Sequence, residues 1–536
     1  MNIRAGLISA VGIFIISTAL AQTSEDYPSK NWFNEDAQNQ HVNGVSTTEA
    51  YEYLKGRESK TVLVAVIDSG IDIDHEDLKD KIWINTDEIP GNGIDDDKNG
   101  FIDDIHGWNF IGGKNGANVG PDNLEVTREY RRLKGQYEGK KAKKKKGYEY
   151  WLEIEKGYQE AFSKANDQLE FYINIKNAID RYHPMIKAYL DVDELTLEAV
   201  RSIESPDSIV SVGAGFMGSI LYMVGDTGMG ELNAELDEAV SHYDTQVQFQ
   251  YNLDYDPRTI IGDNPEDLSE VGYGNNDVKG TGTDNLHGTH VAGIIGASRD
   301  NSLGIDGITY DVKIMALRAV PDGDEHDKDV ANAIRYAVDN GAQVINMSFG
   351  KGYSPHKDYV DKAVRYAEKH GVLLVHAAGN DGKNIDEKNF YPTKKLNNNK
   401  KAGNWIEVGA SAWGDDDQLA ASFSNYGQNS VDLFAPGVEI YSTAPGNEYK
   451  SLPGTSFASP VTAGVAALLL SYYPDLSATD LKDILMQSSR KFDGLMVVKP
   501  GSEDEKVDFS SLSVSGGIVN AFEAVKLADT WKISSK

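Results

Sequence analysis

Strands and helices alternate in the hydrophobic pattern of the C-terminal part of the chain. Short runs rich in β-branched residues are apolar at nearly every position, and between them apolar residues recur at helical spacing. Runs that are apolar on both faces are typical of strands in a parallel sheet with helices on both sides. We therefore predict an α/β fold with a doubly wound parallel sheet. The predicted strands are Thr61–Asp68, Val312–Ala319, Val344–Phe349, Val372–Ala377 and Trp405–Ala410, and the predicted helices are Asp329–Asn340, Tyr359–His370, Val461–Leu470 and Ala478–Ser489.

A long segment between the first two strands has a different pattern. From Leu124 to Ile203 the chain is charged and rich in tyrosine, and its apolar residues, beginning with Tyr150 and Trp151, recur at helical spacing. We expect residues 116–265 to be a mainly helical insertion, either a hairpin with its own core or a module that covers or docks substrate. The remaining segments would be an N-terminal arm at 22–60, a main domain at 61–115 and 266–525, and a C-terminal tail at 526–536.

The first residues have the pattern of a secretory signal. Arg4 precedes an apolar run from Ala5 to Ile16, and the small residues at 19–21 predict cleavage before Gln22. The run is short for a membrane span, and no later stretch is long and apolar enough to be one. We expect residues 1–21 to be a signal peptide and the mature protein to be exported to the periplasm or outside the cell, without a transmembrane segment.

Composition restricts the choice of partners. The net charge is −31 and the pI is near 4.7, which argues against nucleic acid because phosphate repels an acidic surface. The chain has no cysteine, so disulfides and zinc–thiolate sites are excluded and stability must come from core size or bound ions. A basic run at Lys140, Lys141 and Lys143–Lys146 is predicted to be a solvated face, a processing site or a patch for an acidic partner.

Several polar residues occupy strand ends or helix starts, where catalytic groups can be placed. Ser456 follows a Gly-Thr turn and begins a small-residue helix, where free N–H groups and the helix dipole favour negative charge. Asp68 ends a buried strand and His287 begins another small-residue helix. Asp, His and Ser in this order match one chain order of the hydrolytic triad. Asn380 ends a further strand and can donate a hydrogen bond to an oxyanion.

Four ordered motifs resemble those of the subtilisin-like serine peptidases. They are Asp-Ser-Gly at 68–70, His-Gly-Thr-His-Val-Ala-Gly at 287–293, Ala-Ala-Gly-Asn at 377–380 and Gly-Thr-Ser-Phe-Ala-Ser-Pro at 454–460. The resemblance covers roughly residues 30–110 and 270–525. It implies a triad of Asp68, His287 and Ser456, an oxyanion donor at Asn380, and a cleft in which Ser348, Phe349 and Gly350 pair with an extended peptide.

The chain departs from this family in two places. Phe457 stands where the family usually has methionine. The interval between Asp68 and His287 is 219 positions, whereas the family usually needs only a few dozen. His290, the second histidine of its motif, is expected to pack or cap rather than to react.

These features predict an exported serine endopeptidase that acts on proteins or peptides through an acyl-enzyme, with no cofactor for catalysis. Two alternatives remain open. The protein could be an exopeptidase whose cleft is restricted by the insertion, or a non-catalytic binding protein that uses the insertion. Side-chain preference and oligomeric state do not follow from the sequence.

An acidic loop is a second candidate site. Carboxylate and amide side chains alternate from residue 95, and Gly100 allows a sharp turn, as in a calcium loop. The twelfth position is His106 rather than glutamate, so the pattern resembles the ligand order without the helix pair of an EF-hand. We predict a structural calcium site, with a solvated acidic turn as the alternative. The expected ligands are Asp95, Asp97, Asn99, Phe101 and Asp103.

Overall fold

A nine-stranded sheet forms the centre of the molecule. The computed structural model describes residues 28–36, 42–139, 146–225, 228–280 and 285–532, so the predicted signal peptide and Lys140–Lys145 lie outside the described residues. The sheet order is β10-β13-β7-β6-β5-β4-β1-β3-β2, with β10 antiparallel to β13 and the other neighbours parallel. Two hairpins, β8-β9 and β11-β12, stand apart. The strands are β1 (Val62–Asp68), β2 (Gly107–Asn109), β3 (Val312–Arg318), β4 (Val344–Met347), β5 (Leu373–Ala377), β6 (Trp405–Ser411), β7 (Leu433–Pro436), β8 (Ile440–Ala444), β9 (Glu448–Leu452), β10 (Arg490–Lys491), β11 (Met496–Val498), β12 (Lys506–Asp508) and β13 (Gly517–Ile518).

Helices cover both faces of this sheet. Residues of β1 alternate between two hydrophobic clusters, with Val64 and Val66 on one face and Ala65 and Ile67 on the other. Both sets are completely buried, which explains why the run is apolar at every position. The prediction of a doubly wound, mostly parallel α/β fold is confirmed. The helices are Thr47–Leu54, Glu125–Tyr137, Tyr148–Leu190, Leu197–Arg201, Ser208–Val224, Met229–Thr245, Arg258–Ile261, Leu286–Gly296, Asp327–Asp339, Lys357–Lys369, Thr455–Tyr472, Ala478–Ser488 and Ala521–Thr530.

The helix Thr455–Tyr472, here called the serine helix, packs across the middle of the sheet. It is long and apolar enough to cross a membrane, but 89% of it is buried inside the protein. Its small residues also allow a loop to pack closely on it, because a Cβ at Gly464 would lie 2.6 Å from Ile308, which precedes β3. The apolar character of the serine helix is therefore accounted for by the core. The expectation that the mature protein has no membrane span stays a prediction.

The insertion is helical and is larger than a hairpin. Its long helix, Tyr148–Leu190, has 43 residues and carries buried side chains along both halves. Near the sheet, Tyr130 stacks on Trp151 and Tyr158 with ring centroids 5.2 and 4.3 Å apart. In the outer half, Ser208–Val224 and Met229–Thr245 pack against the long helix in a separate cluster. A helix this long needs partners along its whole apolar stripe, and one antiparallel neighbour does not supply them.

Buried ion pairs hold the base of the insertion against the main domain. Lys351 Nζ lies 2.8 Å from Glu125 in the helix Glu125–Tyr137 and 2.9 Å from Asp327 on the sheet side. Arg128 donates hydrogen bonds to the backbone oxygens of Asp324 and Glu325 at 2.9 and 3.1 Å. Burial opposes the charge of Lys351, but attraction to Asp327 and Glu125 outweighs it and raises the lysine pKa. The insertion is thus anchored where β4 leads into the loop at Gly350.

Replacing Lys351 with methionine should destabilise the protein strongly. The substitution leaves the buried Asp327 carboxylate without its cation, which costs about 3–5 kcal/mol, whereas Glu125 keeps its ion pair with Arg128 at 2.7 Å. The matched control is Lys55→Met, because the Lys55–Glu52 pair is 76% and 69% exposed and should contribute nothing measurable. Urea unfolding followed by far-UV circular dichroism measures both. Equal midpoints for the two variants would contradict the role of Lys351.

Candidate active site

The side chains of Asp68 and His287 are joined by a hydrogen bond. Asp68 ends β1 and is 2% exposed, and its Oδ1 accepts hydrogen bonds from the Ser69 backbone N–H at 2.8 Å and from His287 Nδ1 at 2.7 Å. His287 is in the first turn of the helix Leu286–Gly296. That helix approaches closely because residue 288 is glycine: a Cβ there would lie 2.2 Å from the Gly70 oxygen. The fold therefore brings together two residues 219 positions apart.

The two histidines of this helix have opposite electrostatic environments. Burial disfavours the imidazolium of His287, but the attraction and hydrogen bond of Asp68 outweigh it and raise the pKa above the ordinary 6.5. Burial lowers the pKa of His290 to about 3, and its Nε2 lies 2.9 Å from the Lys450 oxygen. The ring of Phe457 contacts both imidazoles, at centroid distances of 5.5 and 4.4 Å. Only His287 has the charge partner that a general base requires.

Ser456 sits in the first turn of the serine helix. Gly454 precedes the helix with φ of 155°, a conformation that L side chains rarely adopt. Ser456 Oγ donates to the Ser348 backbone oxygen at 3.2 Å, and Ser348 Oγ donates to the Ser456 oxygen at 2.7 Å. Asn346 in β4 extends this network, because it donates to Ser348 Oγ at 2.9 Å and accepts from Ser459 Oγ at 2.8 Å. The turn is thus tied to the end of β4.

Asn380 is oriented by the residue before Ser456. Its Oδ1 accepts hydrogen bonds from the Thr455 backbone N–H at 2.9 Å and from Thr455 Oγ1 at 2.8 Å. Thr455 Oγ1 also accepts from the Gly379 backbone N–H at 3.1 Å. With Oδ1 held by Thr455, the amide presents Nδ2 as its donor. Sequence reasoning did not single out Thr455 as a positioning residue, although it stands between Gly454 and Ser456 in the Gly-Thr-Ser motif.

A cavity of about 310 Å³ brings together the predicted nucleophile, the predicted oxyanion donor and the predicted substrate-binding segment. Ser456 and Asn380 line it with the segment Ser348–Gly350. Phe390 lines it as well, and its ring lies against Gly350, where a Cβ would be 2.4 Å from the ring. Sequence patterns did not single out Phe390, because it belongs to a loop outside every motif. The cavity is the place where a substrate side chain can lie beside Ser456.

Ser456 is followed by Phe457, whose ring centroid lies 5.5 Å from that of the His287 imidazole. Among the described residues, no hydrogen bond joins Ser456 to His287, since the hydroxyl donates to the Ser348 oxygen instead. The residue following Ser456 packs directly on the His287 ring. A proton transfer from Ser456 to His287 would require the hydroxyl to rotate away from the Ser348 oxygen, and catalytic hydrogen bonds are often incomplete without substrate.

Comparison with known proteins agrees with this arrangement. The sequence model described as the Subtilase family matches residues 59–510. The chain belongs to the subtilase family. It is 42% identical over 211 residues to a thermophilic serine proteinase of Bacillus sp. (strain AK1), covering 39% of this chain and 48% of that protein. It is 41% identical over 209 residues to Subtilisin DY of Bacillus licheniformis, covering 38% of this chain and 70% of that protein.

A solved structure was also matched. A cold adapted subtilisin-like serine proteinase is 30% identical, with a TM-score of 0.36 over 46% of this chain and 78% of that chain. The chain spans about half the length of the thermophilic proteinase and more of the smaller subtilisin. The resemblance predicted from four motifs is confirmed by the family match.

The acidic loop of this subtilase brings three carboxylates together. Oxygens of Glu88, Asp95 and Asp97 all lie within 4.8 Å of one another. Glu88 is 5% exposed, and it accepts hydrogen bonds from the Asp96 and Asp103 backbone N–H groups at 2.7 and 3.0 Å. These bonds fold the loop around the glutamate. The calcium-loop pattern in the sequence begins at Asp95, so it does not include Glu88.

The other predicted ligands of the loop have different contacts. The carboxylate of Asp103 accepts from the Asn92 and Gly93 backbone N–H groups at 3.2 and 2.9 Å. Asn99 donates to Asp97 at 3.0 Å, and the Phe101 ring packs in an aromatic cluster with Trp108 and Tyr336. Asp103 and Phe101 thus hold the loop to its surroundings, while Glu88, Asp95 and Asp97 are the group that fits a cation.

Replacing Asp68 with asparagine should lower the pKa of His287. The wild-type pKa should exceed 6.5, and the variant should fall below it because burial remains while the attraction to the carboxylate is lost. In wild type, the charged pair stabilises the fold below the unfolded-state pKa, and this stabilisation is lost as pH rises through the raised pKa. NMR titration of ¹³C-labelled histidine measures the shift. His290 is the internal control, since it should stay neutral from pH 5 to 8, and an unmoved His287 titration would refute the assignment.

Proposed function

We propose that this subtilase is a serine endopeptidase that cleaves proteins or peptides. The observation that carries the proposal is the Asp68–His287 hydrogen bond of 2.7 Å beside a cavity lined by Ser456 and Asn380. We further propose that the catalytic unit comprises 61–115 and 266–525, with 116–265 inserted into it. The names of its relatives, a serine proteinase and a subtilisin, support the same reaction class.

In the first step, Ser456 Oγ attacks the carbonyl carbon of the scissile bond. His287 accepts the hydroxyl proton as the new C–O bond forms, and Asp68 stabilises the resulting imidazolium. The raised pKa of His287 makes the imidazole a stronger base, and activity should be lost as pH falls through that pKa. The proton then passes to the leaving amine as the C–N bond breaks.

The carbonyl oxygen becomes negative in this step and needs donors. Asn380 Nδ2 and the Ser456 backbone N–H are the groups proposed to hold it. Losing one such donor costs about 10²–10³-fold in kcat, a magnitude taken from subtilisin itself. Water, deprotonated by His287, then hydrolyses the ester and regenerates Ser456. No cofactor takes part in this scheme.

Extended substrate is proposed to pair with the backbone of Ser348–Gly350, which lines the cavity.

An exopeptidase is the second candidate. It is favoured by the packing of Arg128 and Glu125 against residues 324–325 and Lys351, close to Gly350. A peptide blocked at both termini separates the two, because only an endopeptidase cleaves it internally.

We also propose that the protein is exported, on the signal pattern of residues 1–21. The absence of cysteine and the acidic surface are compatible with a periplasmic or extracellular place. Edman sequencing of the mature protein tests the cleavage site, and an N-terminus that retains residues 1–21 would contradict export by this route.

A fluorophosphonate probe tests the proposed triad. The reagent should form a covalent bond to Ser456 Oγ with loss of fluoride, and mass spectrometry should locate the label on that residue. His287→Ala should abolish labelling because it removes the base that activates the serine. His290→Gln is the matched control, since His290 is assigned to packing. Equal labelling of His287→Ala and wild type would refute the triad. A label on another residue would identify that residue, rather than Ser456, as the nucleophile.

We propose that the acidic loop binds a structural calcium ion through Glu88, Asp95 and Asp97. Three carboxylates this close repel one another unless a cation neutralises them, and hard carboxylate oxygens are the ligands that calcium prefers. The ion would stabilise the segment that leads to β2, and it would supply no chemistry to the reaction.

Calcium should raise the melting temperature of the wild-type protein. A ligand at about 100 times its Kd stabilises the folded state by about 2.7 kcal/mol. Asp95→Asn should lose this increment, while Asp87→Asn, an exposed aspartate of the same loop, should keep it. Differential scanning calorimetry in EDTA and in calcium measures both. If calcium raises the melting temperatures of the two variants equally, Asp95 is not a calcium ligand, and the ion binds elsewhere or does not bind.

A further inference from the structure

A groove of about 980 Å³ joins the cavity beside Ser456 to the helical insertion. One wall comes from the insertion, with Tyr150 and Glu153 of the long helix, and the other comes from the main-domain loop that carries Tyr353. The groove and the cavity share Gly350, Asp381 and Phe390. Any polypeptide that places a side chain in the cavity therefore has this groove next to it.

The insertion wall is held rigidly in place. Tyr150 OH donates to Glu129 at 2.9 Å, and Glu129 is held by Arg132 through two hydrogen bonds of 2.6 and 2.8 Å. The same helix, Glu125–Tyr137, is anchored to Lys351 by the buried ion pair described above. Such a wall needs little ordering when a ligand binds, which lowers the entropic cost of binding.

Aromatic rings give the groove its chemistry. Tyr150 of the insertion and Tyr353 of the main-domain loop contact each other edge to face, with centroids 6.5 Å apart, and Phe390 and Tyr391 lie further along the groove. Tyr150 is 37% exposed although its neighbours on the helix, Trp151 and Ile154, are buried. Aromatic rings offer large apolar area with few rotatable bonds and prefer aromatic partners. The groove therefore fits a large apolar or aromatic side chain on an extended peptide.

We propose that this groove is a substrate subsite, contributed jointly by the insertion and the main domain, for a segment that precedes the scissile bond. The proposal rests on the proposed function. The cavity shared with the groove is lined by the nucleophile and the oxyanion donor, so it receives the residue whose carbonyl is attacked. The groove shares Gly350 with that cavity, and Gly350 belongs to the segment proposed to pair with extended substrate, so we assign the groove to the acyl side of the scissile bond. Its occupant carries a tryptophan, phenylalanine or similar side chain that packs against the adjoining rings of Tyr150 and Tyr353.

Three peptides blocked at both ends test the subsite. They share the residues around the scissile bond; one is short, one carries a tryptophan-containing extension on the N-terminal side, and one carries it on the C-terminal side. Wild type should show a higher kcat/KM for the N-terminal extension alone, mainly through KM. Tyr150→Ala and Tyr353→Ala should each lower the ratio of extended to short by about three- to tenfold.

Two further variants separate the ring from its surroundings. Tyr150→Phe keeps the ring and loses only the hydrogen bond to Glu129, so it should retain most of the ratio. Tyr189→Ala changes a tyrosine of the same helix that is 48% exposed and outside the groove, and it should behave like wild type. The proposal would be overturned by any of three results. The wild type could show the same kcat/KM for the N-terminally extended and short peptides, the C-terminal extension could raise kcat/KM, or Tyr189→Ala could lower the ratio of extended to short as much as Tyr150→Ala does.

Binding to a Ser456→Ala protein provides a readout that does not need catalysis. Fluorescence anisotropy of the labelled peptides should give tighter binding of the N-terminally extended one, and Tyr150→Ala should remove that difference. Selective binding without turnover or probe labelling in the wild type would refute the proposed function and leave the groove as a peptide site. If the wild type is labelled and turns over substrate but the Ser456→Ala protein does not bind the N-terminally extended peptide more tightly, the groove is not a substrate subsite and the proposed function stands.

Discussion

The burial of one carboxylate organises the reaction centre. Asp68 lies at the end of a strand whose residues are fully enclosed, and its side chain is 2% exposed. A charge in such a place must be paired, because desolvation would otherwise neutralise it or destabilise the fold. The partners are the Ser69 N–H and His287, whose helix comes close only because residue 288 has no side chain. Histidine position, tautomer and basicity all follow from this one contact.

The parallel sheet supplies the remaining geometry. The carboxyl ends of β1, β4 and β5 are neighbours, so Asp68, Ser348 and Asn380 come from adjacent strand ends without any sequence proximity. The serine helix then runs across the strands, and Thr455 and Ser456 in its first turn bond to two of these ends. Hydrogen bonds from main chain and small side chains, rather than long flexible groups, define the positions. This suits chemistry that depends on sub-ångström orientation.

The insertion is accommodated without disturbing that geometry. It leaves the main domain after β2 and returns before the helix Leu286–Gly296, and its aromatic and aliphatic side chains form hydrophobic clusters of their own. Its attachment combines buried ion pairs among Lys351, Glu125 and Arg128 with the aromatic contact of Tyr150 with Tyr353. Buried ion pairs contribute orientation more than net stability, because desolvation offsets much of their attraction. Anchoring beside Gly350 places the insertion next to the cavity that Ser456 lines, while β1 and β4 keep their parallel pairing in the sheet.

The sequence by itself determined the alternation of strands and helices and the residues at their ends. These are local properties: a doubly buried strand is apolar at nearly every position, and Ser456 and His287, each within two residues of a glycine, lie at helix starts. The helical character of 124–203 was also accessible, since its apolar spacing is local. Four short motifs sufficed to indicate the family.

Only the tertiary structure decided which side chains meet across long intervals. Glu88 joins Asp95 and Asp97 because backbone N–H groups of the loop fold around it, and no fixed spacing encodes that contact. Phe390 reaches the cavity and Tyr150 reaches Tyr353 from segments far apart in the chain. Periodicity assigned Tyr150 to an apolar stripe, and packing left it exposed at a groove. Periodicity reports the face of a helix, whereas its neighbours are set by packing and by the pairing of buried charges.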